Sequence, residues 1–356
     1  MSAVDPAVEP DAAPSDGDAS LVVDDLEVSL MFRAGPSQVV RDLSLEISRG
    51  ETLALVGESG CGKSMTALAI MRLLPDPPAR ITRGKILLEG RDLATLKDKE
   101  MRAVRGDRVS MVFQEPLTSF DPVFTIGSQL TDTIKHHRSG VSKSDARDIA
   151  IDMLREVQIP EAEKRFSSYP HELSGGMRQR VLIAIALILN PTVLIADEPT
   201  TALDVTTQAQ ILDLIKREQE ERQLAMLLIT HNLAVVSQVA DRVAVMYAGE
   251  IVETGPSELI FNEPQHPYTQ GLLRAIPRMD SERRFLLDIP GRVPDPRAFP
   301  PACHFAPRCP HEIERCWQDP PRLARTDADH ALRCWNPRPI SELDDPDDAW
   351  RNDADI

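Results

Sequence analysis

The stretch ETLALVGESGCGKSMTALAIMRLL, residues 51–74, constrains the fold more than any other part of the chain. An apolar run over 51–56 has strand character and ends at Gly57. A helical pattern over 64–74 follows and stops near Pro75. Between them GESGCGKS, residues 57–64, fits G-x-x-x-x-G-K-[ST] in full and in the strand-to-helix setting the motif requires. Gly57, Gly60 and Gly62 let backbone N–H groups turn inward around phosphate. Lys63 is expected to reach the β and γ phosphates, and Ser64 to hold Mg2+. Glu58, Ser59, Cys61 and Met65 complete the loop. Cys61 stands at a variable position and reads as a small filler rather than a nucleophile. A plain Gly-rich turn with a solvated lysine is the competing reading, and the flanking strand and helix argue against it.

The rest of the pattern agrees with an α/β core. Residues 21–56 hold two or three strand-like segments, and KILLEG (85–90) and RVSMVF (108–113) read as further strands. Residues 122–170 show helical patterns and no clear strand, as an inserted helical subdomain would. VLIAD (193–197) reads as a buried strand, 205–222 as a long helix, LAMLLIT (224–230) as another strand, and 242–255 as a hairpin turning near Gly249. Strands alternating with helices predict a mostly parallel sheet.

Charge and composition narrow the function. The net charge is -16, from 40 basic and 56 acidic residues, which disfavours nonspecific binding to nucleic acid. Aromatic residues are 4%, too sparse for single-strand stacking platforms. The acids concentrate at the ends: residues 1–25 carry seven and no base, and residues 341–356 carry seven against one arginine. Both ends read as disordered tails. No basic segment followed by an apolar run suggests a signal peptide. The longest strongly apolar run, VLIAIALIL at 181–189, is nine residues, too short to cross a bilayer.

Three further sites are candidates for phosphate chemistry. Asp197 and Glu198 end an apolar strand; beside a phosphate loop they read as a Mg2+ ligand and as the base for an attacking water. His231 follows another core strand and is expected at the crevice outside the strand ends, as a γ-phosphate contact. LSGGMRQR, residues 173–180, is a second glycine turn opening a helix. It reads either as an N-cap at Ser174 or as a second anion-binding helix start through Ser174, Gly175 and Gly176. Two separate phosphate-binding turns suggest a nucleotide shared between subunits.

Together these residues resemble the ABC ATPase family, with the motifs in order from about 21 to 335. The resemblance implies that Gln114, in VFQEP, is the Q-loop glutamine and a Mg2+ contact. It implies that Leu173–Gln179 are the signature, meeting the γ-phosphate of a partner subunit's ATP. Asp197 matches the Mg2+ ligand, Glu198 the catalytic glutamate, ALD (202–204) the D-loop and His231 the switch histidine. Phe32 is the candidate for stacking on adenine. DEPTTALDVTTQAQI and QHPYT (265–269) resemble the importers of peptides and nickel, which implies ATP-driven uptake of dipeptides or oligopeptides, with nickel or glutathione as alternative solutes. FDP at 120–122 departs from the Leu-Asn-Pro of many relatives. A soluble ABC protein acting on ribosomes or DNA is a distant alternative, since one cassette and no long heptad run are present.

The implied architecture is a P-loop NTPase ABC ATPase core with an N-terminal antiparallel β subdomain, an inserted helical subdomain and a cysteine-containing C-terminal extension. The expected boundaries are an acidic tail at 1–20, the ATPase domain at 21–256 with the helical subdomain at about 115–175, the extension at 257–336 and a second tail at 337–356. Expected partners are a second, related ATPase subunit in a heterodimer, two membrane permeases and, indirectly, an external solute-binding protein. The expected location is the cytoplasmic face of the plasma or inner membrane.

Four of the five cysteines fall late, as Cys303, Cys309, Cys316 and Cys334, spaced C-x5-C-x6-C-x17-C. Disulfides do not suit a chain acting on cytosolic ATP. The spacing lacks the close pair of structural zinc sites and the C-x2-C-x2-C run of ferredoxins. The residues point to a metal cluster without deciding between iron–sulfur and zinc, and a metal-free set of thiols is the competing reading. The resemblance to peptide importers implies a [4Fe-4S] cluster. His304, His311 and His330 are alternate ligands, read as surface residues.

Overall fold

The computed structural model describes residues 19–33, 35–114, 119–201, 203–275, 289–327 and 329–339. Most of the two acidic tails therefore lies outside the described residues. Inside them, the tail expected over 1–20 gives way to strand at Ala19. At the other end Arg338 is tied down, its N–H donating to Gln265 O at 3.1 Å.

The chain begins with two long strands, β1 (Ala19–Phe32) and β2 (Gly35–Ser48), which pair antiparallel. Next come β3 (Thr52–Val56), the phosphate loop, and helix α1 (Lys63–Ile70). The helix ends earlier than its apolar pattern predicts. Arg72 turns into the left-handed region, φ 50°, and the Arg105 side chain binds the exposed carbonyls of Met71 and Arg72 at 2.8 and 2.7 Å. Strands β4 (Ala79–Leu88) and β5 (Arg91–Asp92) complete a four-stranded antiparallel sheet in the order β2-β1-β4-β5.

Helix α2 (Asp98–Val104) leads to β6 (Val109–Val112). Helices α3 (Ile126–His137), α4 (Lys143–Glu156), α5 (Ala162–Arg165) and α6 (Gly175–Leu187) form the helical part. Thr125 and Ser142 cap the first two, accepting from Ser128 N and Asp145 N. The chain then runs through β7 (Val193–Asp197), α7 (Val205–Arg222), β8 (Ala225–Thr230), α8 (Leu233–Val239) and the hairpin β9 (Arg242–Tyr247) and β10 (Glu250–Pro256).

The main sheet has the order β11-β12-β10-β9-β3-β8-β7-β6, where β11 is Ala324–Asp327 and β12 is His330–Leu332. Its centre is parallel: β3 lies between β8 and β9, and β7 between β6 and β8. Every residue of β3, β6, β7 and β8 is buried. Such strands, covered on both faces, read as continuous apolar runs rather than alternations. One core fills the space between the antiparallel sheet, α1 and the main sheet, and a second surrounds α6 and the helical part.

The extension packs onto the ATPase core and joins its main sheet. After α9 (Ser257–Asn262) and α10 (Pro267–Arg274), and a short helix α11 (Arg315–Gln318), the chain adds β11 (Ala324–Asp327) and β12 (His330–Leu332) to the edge of the main sheet. β12 pairs antiparallel with β10. A third core unites β9 with Tyr268, Ile289 and Phe305 of the extension. A segment too poor in periodic structure to build its own core has borrowed one from the sheet.

Candidate functional site

The phosphate loop is held from behind. A Cβ on Gly57 would stand 2.2 Å from Met246 O, and one on Gly62 would stand 2.7 Å from Val39 O. Only glycine fits the loop so closely against its supporting strands. Lys63 is 6% exposed. Its ammonium donates to the carbonyls of Gly57 and Glu58 at 2.7 and 2.9 Å. A buried cation met by loop carbonyls favours an anion beside it. Cys61 is 1% exposed, with its sulfur 3.7 Å from Lys63 Nζ, and burial pushes its thiol pKa up. It fills the loop as expected of a packing residue.

Ser64 Oγ donates to Asp197 Oδ1 at 3.3 Å. Asp197 is buried, and burial followed by the charge of Glu198 raises its pKa, against the hydrogen bond from Ser64 and the charge of Lys63. Two oxygens this close suit neighbouring positions of an octahedral Mg2+ shell, whose ligand oxygens are about 2.9 Å apart.

Glu198 is the meeting point of the site. Its φ is 47°, and its N–H donates to Ile229 O at 2.8 Å, so the chain leaves the sheet in a sharp turn. One carboxylate oxygen accepts from Gln114 Nε2 at 2.9 Å and Thr201 Oγ1 at 2.8 Å. The other lies 3.1 Å from His231 Nδ1. Burial opposes its charge, but the hydrogen bonds from His231 and Thr201 and the charges of His231 and Lys63 hold its pKa below the usual value. The carboxylate is therefore ionised and poised to accept a proton. Thr201 went unassigned in the sequence, although it stands within DEPTTALD.

The remaining sequence candidates fall elsewhere. Gln114 rests on Glu198, the neighbour of Asp197. Ser59, Gly60 and Met65 belong to the loop and the first turn of α1. Phe32 is 45% exposed, at the tip of the β1–β2 hairpin. Ser174 caps α6, accepting from Met177 N at 3.3 Å. Gly175 and Gly176 lie against Leu203 and Thr207, next to the 202–204 segment. Among the described residues no hydrogen bond joins Ser174–Gly176 to the loop at 57–64.

The late cysteines converge. All four are free. Cys303 N–H donates to Cys316 O at 3.0 Å, and Cys303 and Cys309 pack on the same core as Phe305. Burial pushes Cys303 up to about 11 and Cys309 and Cys334 up to about 12. Asn336 N–H donates to Cys334 Sγ at 3.3 Å, and Ala306 N–H donates to the Cys303 carbonyl at 3.2 Å. No three of these sulfurs come within 4.8 Å of one another among the described residues. The trio that does meet that spacing, Glu156, Glu218 and Glu221, is bridged by Arg217 and Arg222.

Two histidines read as surface residues are buried instead. His304 lies between Arg41 and Glu250, at 2.9 and 3.2 Å, and His330 is 3.0 Å from the buried carboxylate of Glu253. His311 is half-buried. Their polar partners come from distant strands, which local sequence does not reveal.

The chain matches two families, ABC transporter over residues 40–201 and Oligopeptide/dipeptide transporter, C-terminal region, over 252–316. It is 50% identical to the dipeptide transport ATP-binding protein DppD of Bacillus subtilis, over 88% of this chain and 94% of that protein. It is 47% identical to the oligopeptide transport ATP-binding protein OppD of the same organism, over 92% of each. Among solved structures, the dimeric bacterial ABC transporter cassette MJ0796 aligns with a TM-score of 0.60 and 27% identity, over 67% of this chain and 98% of that one. No described helix is long and apolar enough to cross a membrane. With its nucleotide-site motifs and its C-terminal region matched together, the chain belongs to the ABC transporter ATP-binding proteins of the dipeptide and oligopeptide branch.

Proposed function

We propose that this chain hydrolyses ATP to energise import of dipeptides or oligopeptides through a membrane transporter. The observation that carries the reading is the Glu198 carboxylate, gathered with Gln114, Thr201 and His231 at the strand end next to the Lys63 loop. Lys63 exchanges its loop carbonyls for β- and γ-phosphate oxygens and neutralises charge on the transferring group. Glu198 takes a proton from the attacking water as the new P–O bond forms and the bond to the ADP oxygen breaks. His231 and Gln114 hold that carboxylate and water in line. Ser64 and Asp197 would hold Mg2+, which would offset the charge of the phosphates. Phe32 is the proposed adenine contact.

The signature turn at Ser174–Gly176 acts in trans, closing on ATP held by the loop of a second ATPase subunit. That partner is a related but distinct chain. The helical part transmits closure to two permeases, which an external solute-binding protein loads. The chain acts at the cytoplasmic face of the membrane.

Cys303, Cys309, Cys316 and Cys334 are proposed ligands of one [4Fe-4S] cluster. The Cys303 N–H bond to the Cys316 carbonyl and the Asn336 N–H aimed at Cys334 Sγ support it. Four thiolates on one zinc ion would place sulfurs about 3.8 Å apart, closer than any three of these come. When bound, the cluster would crosslink an extension that has little core of its own.

The test is peptide-stimulated ATP hydrolysis by this chain assembled with its partner ATPase and permeases in membranes. Stimulation by a peptide-loaded binding protein is expected. Hydrolysis indifferent to peptide would overturn the substrate class.

A further inference from the structure

The phosphate loop does not stand on the ATPase core alone. Glu58, its second residue, is gripped by the C-terminal extension through both its backbone and its side chain. The Tyr268 hydroxyl accepts from Glu58 N–H at 2.9 Å. The Arg308 guanidinium clasps the Glu58 carboxylate with two bonds of 2.7 and 3.0 Å. Arg308 is 4% exposed and Glu58 28%. The rest of the guanidinium is committed too, to the carbonyls of Pro290 and Ile289 at 2.8 and 3.1 Å. A bidentate arginine with every face occupied fixes its carboxylate in one place.

The aromatic packing makes the same connection. Tyr247, at the end of the strand supporting Gly57, packs with Tyr268 and Phe305 at ring separations of 4.7 and 5.1 Å. His266 Nδ1 accepts from Tyr268 N–H at 3.1 Å and so starts the helix that aims the tyrosine. The hydroxyl of a side chain that is 0% exposed thus ends on the backbone of the loop.

We propose that Arg308 and Tyr268 are positioning residues of the nucleotide site, through which the C-terminal extension sets the affinity of the phosphate loop for ATP. Glu58 places a carboxylate in the loop that must receive a triphosphate. Arg308 cancels that charge and pins it away from the phosphates. Tyr268 fixes the entry of the loop, so that the later N–H groups converge without reordering when nucleotide binds. Removing Arg308 leaves Glu58 uncompensated next to the incoming anion.

The inference rests on the ATPase reading, and the two fail differently. The wild-type complex must bind and hydrolyse MgATP; if it does not, the ATPase reading falls. With that established, nucleotide affinity is measured on the full chain in its complex, by equilibrium binding of a non-hydrolysable ATP analogue and by the KM for ATP. Arg308→Met is expected to weaken binding and raise KM about tenfold, with a smaller change in kcat. Adding Glu58→Gln to it is expected to recover about threefold or more, because the orphaned charge is gone. If Arg308 merely held the extension together, the double variant would bind no better than Arg308→Met, and that result overturns the proposal. Tyr268→Phe, which removes one oxygen, is expected to raise the Kd about threefold or more. Should Arg308→Met fail to fold, Tyr268→Phe decides alone. Wild-type affinity in that variant would overturn the proposal.

Discussion

The Gln114 amide donates to the Glu198 carboxylate at 2.9 Å, which joins the edge strand of the parallel sheet to the residue at the end of its neighbour. His231 meets the same carboxylate from the next strand. Three adjacent strands thus deliver one side chain each to a single point outside their carboxyl ends, where ligands gather in open α/β sheets.

Glu198→Gln should retain nucleotide binding and lose hydrolysis by about 10²-fold or more. The amide keeps one oxygen to accept from Thr201 and Gln114 and turns its NH2 to His231 Nδ1, so the fold survives while the proton acceptor is lost. Phosphate release from the assembled transporter measures it. Turnover within a few-fold of wild type would remove Glu198 from its role.

Gly175→Asp should damage hydrolysis of ATP held by the partner subunit, not binding at Lys63. Gly175 is the right glycine to change: a Cβ there lies 3.6 Å from Leu203, an ordinary contact, whereas at Gly176 it would lie 2.7 Å from Thr207. The added carboxylate would repel the γ-phosphate. Photo-crosslinked nucleotide counted separately on each subunit distinguishes the two. Loss confined to this chain's own loop would contradict a shared site.

Anaerobic purification should yield coloured protein with about four irons per chain. Cys316→Ser should bleach it and lower the melting temperature of the extension. Stoichiometric zinc in colourless protein would overturn the iron assignment, and four reactive thiols without metal would overturn the site.

Stability should fall in mild acid through His266. Burial first, against the raising charge of Glu253, lowers its pKa from 6.5 to about 4. A hydrogen bond with the Arg333 backbone also raises it, the Arg333 charge lowers it, and His330 shares the Glu253 carboxylate. The unfolded chain thus binds a proton that the folded chain refuses between about pH 6.5 and 4, so stability drops as pH falls through that window. The full effect is on the order of 3 kcal/mol. His266→Asn keeps an acceptor for Tyr268 N–H and should be less stable than wild type at pH 7. The gap should narrow by pH 5 in thermal melts. A gap that stays constant would assign the pH dependence to other groups.

The nucleotide loop was legible because its chemistry is local. GESGCGKS needs its glycines, lysine and serine within eight residues, and the strand and helix around it are written in adjacent sequence. The buried strands at 193–197 and 225–230 were legible as unbroken apolar runs, which only a doubly covered sheet accepts. The tertiary structure alone decided what stands behind the loop. Arg308 and Glu58 are 250 residues apart, and nothing near either one names its partner. His330 and Glu253 meet 77 residues apart, and their burial depends on β12 joining β10. The expected boundary at 257 says nothing of what the residues beyond it pack against. In the fold those residues gain their core only by packing on Tyr247 and pairing with the edge of the main sheet. Long-range burial, unlike a phosphate loop, has no signature in adjacent residues, because it is chosen by whichever surfaces the finished sheet leaves uncovered.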